Sequence, residues 1–308
     1  MSKVRLQRHN RYKGWLLSEV PPDSIFPAEA ALVQRIRETE DQVFSPYQFS
    51  FHEDDTYHYH LAFLVEAVEL LPLKLDLAFD AIWRAFESLY AKQLPPPTAF
   101  KLGDIAPSFA AQIDATSEHD ILLNRLLEII PAQSCEYIAQ RIFRTWRQPQ
   151  SDYQKIWNRL QNPSNNHDEI RGLLGRIATK YSAPNFALGD ERKVAMLLRL
   201  MIQGTEVEVG GIKTTVPRSQ RISFLLNALL YTFRNDRFHG SMQPPFKSSV
   251  GTIRTYAHVH YCFIWAHYVF LFRAMMHTPA LADASGLAAN TLRNVDSMIR
   301  IYGKHLRK

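Results

Sequence analysis

A chain of 308 residues with 46% hydrophobic and 21% charged residues has ample apolar mass for a sizeable core, and no stretch shows the composition of a disordered segment. Thirty-six Lys and Arg against 30 Asp and Glu leave a net charge of +6, which permits a polyanionic partner without demanding one. Two widely separated cysteines, Cys135 and Cys262, argue against a disulfide framework or a zinc site, and point to a reducing, cytoplasmic compartment.

The opening MSKVRLQRHNRYKG is basic but lacks the apolar stretch of a secretory signal. Residues 1–56 are irregular and punctuated by proline, and read as an arm or cap with one helix over 28–42. A helical pattern starts at Tyr57, breaks at Pro72 and resumes as LKLDLAFDAIWRAFESLYAKQL. There Leu75, Ala78, Phe79, Ile82, Phe86 and Leu89 form one apolar stripe. PPPT at 95–98 closes that helix and marks the clearest internal boundary.

Several shorter helices follow, separated by proline- and asparagine-rich joints, with no fixed-period repeat. TEVEVGGIKTTV is the one convincing strand signal: alternating runs around Gly210-Gly211 predict a tight hairpin with Glu208 opposite Lys213. Next come a helix over 219–237, the loop HGSMQPPFKSS, a long helix over 250–277 and a final helix ending near KHLRK. The run 256–276 is long enough to span a membrane. It contains His258, His260, His267 and Arg273, however, which are costly in lipid, so a buried or interfacial helix is expected and no membrane. The expected fold is all-α, a helical bundle with one β-hairpin. Its core spans about 57–93 and 219–308 of a domain at 57–308, with a helical insertion at about 98–218.

The charge is concentrated near the end of the chain. Between positions 234 and 273, Arg234, Arg237, Lys247, Arg254 and Arg273 stand against Asp236 alone. The motif FRNDRFHG, 233–240, opens this window. It follows a helix whose buried side is expected to carry Ile222, Leu225, Leu226, Leu229, Leu230 and Phe233, and Gly240 suits a helix stop. Arg254 to His260 and Arg300 to His305 repeat similar Arg/His spacings, so spacing alone is weak and context must decide.

RNxxxHG at the junction of two long helices resembles the signature of the HEPN (higher eukaryotes and prokaryotes nucleotide-binding) family, and DLAFDAIWRAFESLYAK is similar to the first helices of such domains. The resemblance covers about 57–93 and 219–277. It implies a metal-independent endoribonuclease without a cofactor, acting on RNA as a homodimer, in a defence or toxin role with an antitoxin or other regulatory partner. His239 would be general acid or base, Arg234 would stabilise the transition state and Asn235 would support them. In family toxins silenced by a nucleotidyltransferase a tyrosine lies two residues after the histidine; here that position is Ser241.

The chemistry of the matching residues agrees with that role. RNA is cut when its 2′-hydroxyl attacks the adjacent phosphate, a reaction that needs proton transfer and charge stabilisation. A histidine supplies the first and an arginine fork the second. Arg237, Ser241, Lys247 and Arg254 are the candidate RNA contacts, and Asp80 and Glu87 the candidate partners that orient Arg234.

Positions 234 and 239 lie about 140° apart around a helix, so Arg234 and His239 do not share a face, whereas Asn235 and His239 do. The site therefore requires a helix distortion near Gly240, a long reach by Arg234, or a second copy of the motif across a dimer. The aromatic-rich helix 256–272 is apolar enough to contribute to such an interface. The alternatives are a catalytically silent module that binds RNA or a nucleotide or dimerises through the same basic end, and a purely structural protein whose motif is a solvated helix end.

Overall fold

The computed structural model describes residues 26–51, 53–91, 102–143, 152–160, 168–181, 188–239, 244–248, 250–278 and 282–307. The boundary at 95–98, Gly240 and Ser241 lie outside them. Among the described residues the chain is all-α with a single short hairpin. The helices are α1 (Pro27–Thr39), α2 (Asp55–Glu69), α3 (Leu75–Ala91), α4 (Leu102–Asp114), α5 (Asp120–Glu128), α6 (Ala132–Phe143), α7 (Asp152–Leu160), α8 (Asp168–Tyr181) and α9 (Leu188–Gln203). The hairpin β1 (Val207–Val209) and β2 (Ile212–Thr214) follows. Helix α10 then runs through Arg218–Phe224, a π-helical stretch Leu225–Leu230 and Tyr231–Phe238, and α11 (Ile253–His277) and α12 (Ala284–Tyr302) complete the chain.

Helix α11 is the axis of the molecule. Every residue from Thr255 to Phe272 is buried, so the helix has no solvent face. It packs on α3 above all, and also on α12, α1 and α6. A helix that is apolar all round belongs inside a protein rather than at an exposed interface. This corrects the expectation that it contributes to a dimer surface: the layers of this same chain already cover it. Among the described residues no helix is long and apolar enough to cross a membrane.

The stripes read from the sequence are the ones that pack. Leu75, Ala78, Phe79, Ile82, Phe86 and Leu89 of α3 are buried, and Trp83 joins them. Ile222, Leu225, Leu226, Leu229, Leu230 and Phe233 of α10 are fully buried. Thr252 caps α11, its hydroxyl accepting from the Arg254 amide at 3.2 Å, and Asp54 and Asp283 cap α2 and α12. The hairpin forms in the expected register, Glu208 opposite Lys213. Gly210 and Gly211 take φ of 64° and 76°, the positive values that a tight two-residue turn requires.

The helices between α3 and the hairpin are not a separate lobe. One hydrophobic cluster runs from Ala28 of α1 through α4, α5, α6 and α9 to Leu306, so both the arm helix and the insertion complete the core. Burial of the stripes on α6 (Cys135, Ile138, Ala139, Ile142) against α9 places α6 beside the end of α10.

Three histidines of α11 are held neutral by this burial. It lowers the His258 pKa to about 4 and those of His260 and His267 to about 3. The unfolded chain takes up protons on them near pH 6.5, whereas the folded chain does not until far lower pH, so stability falls as pH drops. At full uptake the slope reaches roughly 4 kcal/mol per pH unit, before carboxylates contribute. Urea unfolding between pH 7 and pH 5 should show the midpoint falling steeply, and His260→Phe should flatten that fall by about one third of the slope.

Candidate functional site

The motif occupies the last turn of α10, and the helix reaches it through an irregularity. In the π-helical stretch the Tyr231 amide bonds to the Leu226 carbonyl, five residues back, and the widened turn leaves the Asn227 carbonyl open to side chains. The Thr232 hydroxyl donates to it at 3.2 Å, and Arg159 of α7 donates to it at 3.0 Å. The Arg159 guanidinium also lies 5.0 Å from the Tyr231 ring centre. This distortion lies upstream of the motif, and Gly240 is outside the described residues. It ties α7 to α10 and leaves the angular separation of Arg234 from His239 unchanged.

The two residues accordingly face different neighbours. Arg234 turns toward α3, where Glu87 pairs with it at 2.9 Å and also accepts from the Trp83 indole at 2.9 Å. Its guanidinium lies 4.5 Å from the Phe238 ring centre, and its Nη1 donates to the Asn235 side-chain oxygen at 3.1 Å. Asn235 is therefore the link. One side of it holds Arg234, and the other lines a cleft with His239.

That cleft, about 420 Å³, is formed by Arg141 of α6, Lys155, Ile156 and Arg159 of α7, and Thr232, Asn235, Asp236 and His239. His239 closes α10 with its amide bonded to the Asn235 carbonyl at 2.9 Å, and its ring is exposed. Asp236 is buried and accepts from Arg141 at 2.7 Å and from the Tyr137 hydroxyl. Burial, with the Asp236 charge beside it, pushes the Tyr137 phenol well above its ordinary pKa, so the phenol keeps its proton and donates it to the carboxylate. The result is a water-accessible hollow with one imidazole, one amide and three basic side chains around one neutralised acid.

Other candidate residues have other partners. Arg237, expected at RNA, is half-buried in a three-point ion pair, bonded to both Asp80 oxygens at 2.8 and 2.6 Å and to Asp76 at 2.8 Å. Burial disfavours its charge, but the Asp80 and Asp76 carboxylates outweigh that and hold its proton more tightly than usual. Asp80 thus serves Arg237, and Glu87 alone of the two candidate partners reaches Arg234. Lys247 pairs with Glu29 of α1, and Arg254 pairs with both oxygens of Glu136 at 3.0 Å. Each of these three cations thus has a carboxylate partner within the fold. Of the other Arg/His spacings, Arg300 pairs with Asp41 at 2.8 Å, and Arg254 and His260 belong to α11.

Arg141, Lys155 and Arg159 had no signal in the linear sequence near the motif. They stand 80 to 98 positions before His239, and only the packing of α6 and α7 against α10 brings them there. Lys155 and Arg159, four apart on one helix face, were the sole local hint. No known protein family, curated protein or solved structure matches the chain.

Replacing Arg237 by Ala removes the partner of one buried carboxylate, Asp76, and one half-buried one, Asp80. It should lower stability by about 3–5 kcal/mol in urea titration, the cost of breaking a buried pair. A residue acting only at RNA would leave the midpoint unchanged.

Proposed function

We propose that the protein is a metal-independent endoribonuclease that cuts RNA by attack of the 2′-hydroxyl on the adjacent phosphate. The observation that carries this reading is the cleft in which His239 and Asn235 meet Arg141, Lys155 and Arg159. A phosphodiester in that cleft would have cations on its non-bridging oxygens, where charge grows as the five-coordinate phosphorane forms. His239 would take the 2′-hydroxyl proton or deliver one to the departing 5′-oxygen. The nucleophile and the leaving group both belong to the substrate, so the chemistry requires no metal.

Arg234 acts in this reading through Asn235. Glu87 and Phe238 fix the guanidinium, and its Nη1 fixes the Asn235 amide, whose NH2 is directed to the substrate. One imidazole performs one proton transfer at a time. A homodimer that brings a second His239 to the same phosphate would supply the other, and the exposed Phe238 and Val250 beside the motif give such a contact apolar anchors.

A second reading has its own observation. Arg234 is neutralised by Glu87 and faces away from His239, which suits a module that binds RNA without cutting it. Wild type and His239→Ala incubated with total RNA in EDTA separate the two. The expected result is fragments ending in cyclic phosphate with wild type, and a rate lower by about 10²–10⁴ with the variant. No cleavage by wild type with salt-sensitive binding would support the binding module, and equal cleavage by both would remove His239 from the site. Glu87→Gln, which loosens Arg234, should slow cleavage with little change in RNA affinity.

A further inference from the structure

The stretch 125–141, which forms the end of α5 and most of α6, lines three hollows in succession. At one end Arg141 borders the His239 cleft. In the middle Gln133, Glu136, Gln140, Thr255 and the rings of Tyr137 and His258 line a cavity of about 230 Å³ whose walls are more apolar than polar. The Tyr137 ring is a wall of that cavity while its hydroxyl bonds Asp236 of the His239 cleft, so one side chain separates the two. At the other end Arg125, Glu128, Arg199, Lys304 and Arg307 line a cleft of about 320 Å³ between α5, α9 and the last turn of the chain.

The charge of this last cleft is committed differently from that of the motif. Arg125 is paired with Glu128 at 3.0 Å and lies 4.0 Å from Asp296, and Arg199 donates to the Arg307 carbonyl at 3.1 Å, which fastens the final turn to α9. The Lys304 ammonium and the Arg307 guanidinium are exposed and carry no ion pair among the described residues. By contrast Arg234, Arg237, Lys247 and Arg254 are all paired.

We infer that the Arg125, Arg199, Lys304 and Arg307 cleft is a second phosphate site, which holds a single-stranded RNA away from the bond being cut. This rests on the RNA reading of the His239 cleft. The His239 cleft borders Arg141 in the last turn of α6, and the Arg125 cleft borders the end of α5 that leads into α6, a helix about 18 Å long at 1.5 Å per residue. A small phosphate compound reaches one of the two clefts. A strand of a few nucleotides reaches both, and the cavity between, with amides, a hydroxyl and ring faces, suits bases rather than phosphates. Single-strand grooves of this kind track about 4–16 nucleotides.

The test uses the full chain carrying His239→Ala, which prevents cutting, with and without Lys304→Glu and Arg307→Glu. Both added changes are at exposed positions, and an unchanged urea midpoint checks the fold. Fluorescence anisotropy with single-stranded 3-nucleotide and 12-nucleotide RNAs reads the affinity. The double change should weaken the 12-mer at least tenfold, leave the 3-mer unchanged, and reduce the salt slope for the 12-mer by about 1.4, the value for two lost single-strand contacts. Unchanged 12-mer affinity, an equal loss at both lengths, or no RNA binding at all would overturn the inference. So would loss of tripolyphosphate binding with RNA binding retained, which would assign the cleft to a small phosphate ligand. Cleavage by the His239 protein is measured separately, so absence of cutting bears on the catalytic reading and not on this one.

Discussion

A 25-residue helix that is buried from Thr255 to Phe272 can exist only if other helices cover it on every side, because each apolar residue left in water forfeits the free energy that orders the chain. The placement of the other elements follows from that demand. Helix α3 takes one side of α11, α12 another, and α1 and α6 close the remainder. The arm and the insertion are thus recruited to the core because α3, α10 and α12 alone do not enclose α11.

The enclosure has an electrostatic consequence. With α3 and α10 packed together, the acidic positions Asp76, Asp80 and Glu87 of α3 meet the arginines that emerge where the apolar stripe of α10 ends. Arg237 and Arg234 are drawn to that side, and the opposite side of the same turn is left to Asn235, Asp236 and His239. Helix α6 answers with Arg141 and Tyr137, both on Asp236, and α7 answers with Arg159 on the carbonyl that the π stretch releases. A charged helix end is in this way divided into a structural half and a half that faces a cleft.

Much of the fold was legible in the sequence because it rests on periodicity. The stripes of α3 and α10 and the register of the Gly210-Gly211 hairpin depend on residues within one or two turns of each other, so local spacing carries them. The candidate site was legible only in part. FRNDRFHG locates the helix end, and of the two candidate partners of Arg234 on the neighbouring long helix, Asp80 and Glu87, only Glu87 pairs with it. The partners of Arg237, Lys247 and Arg254 were not legible, because a linear reading counts charges but does not see the carboxylates of Asp76, Asp80, Glu29 and Glu136 that fold against them.

By itself the sequence determined that the chain is helical, where the helices break, which faces are apolar, and that Asn235 shares a helix face with His239 while Arg234 does not. These follow from backbone geometry and from side-chain chemistry at short range. Tertiary structure alone decided that α11 is an interior axis rather than an interface, that Asp76 and Asp80 bind Arg237, and that Arg141, Lys155 and Arg159 surround His239. Each of those outcomes joins residues dozens of positions apart, and which distant surfaces meet is set by the packing of whole helices, a quantity that no local pattern contains.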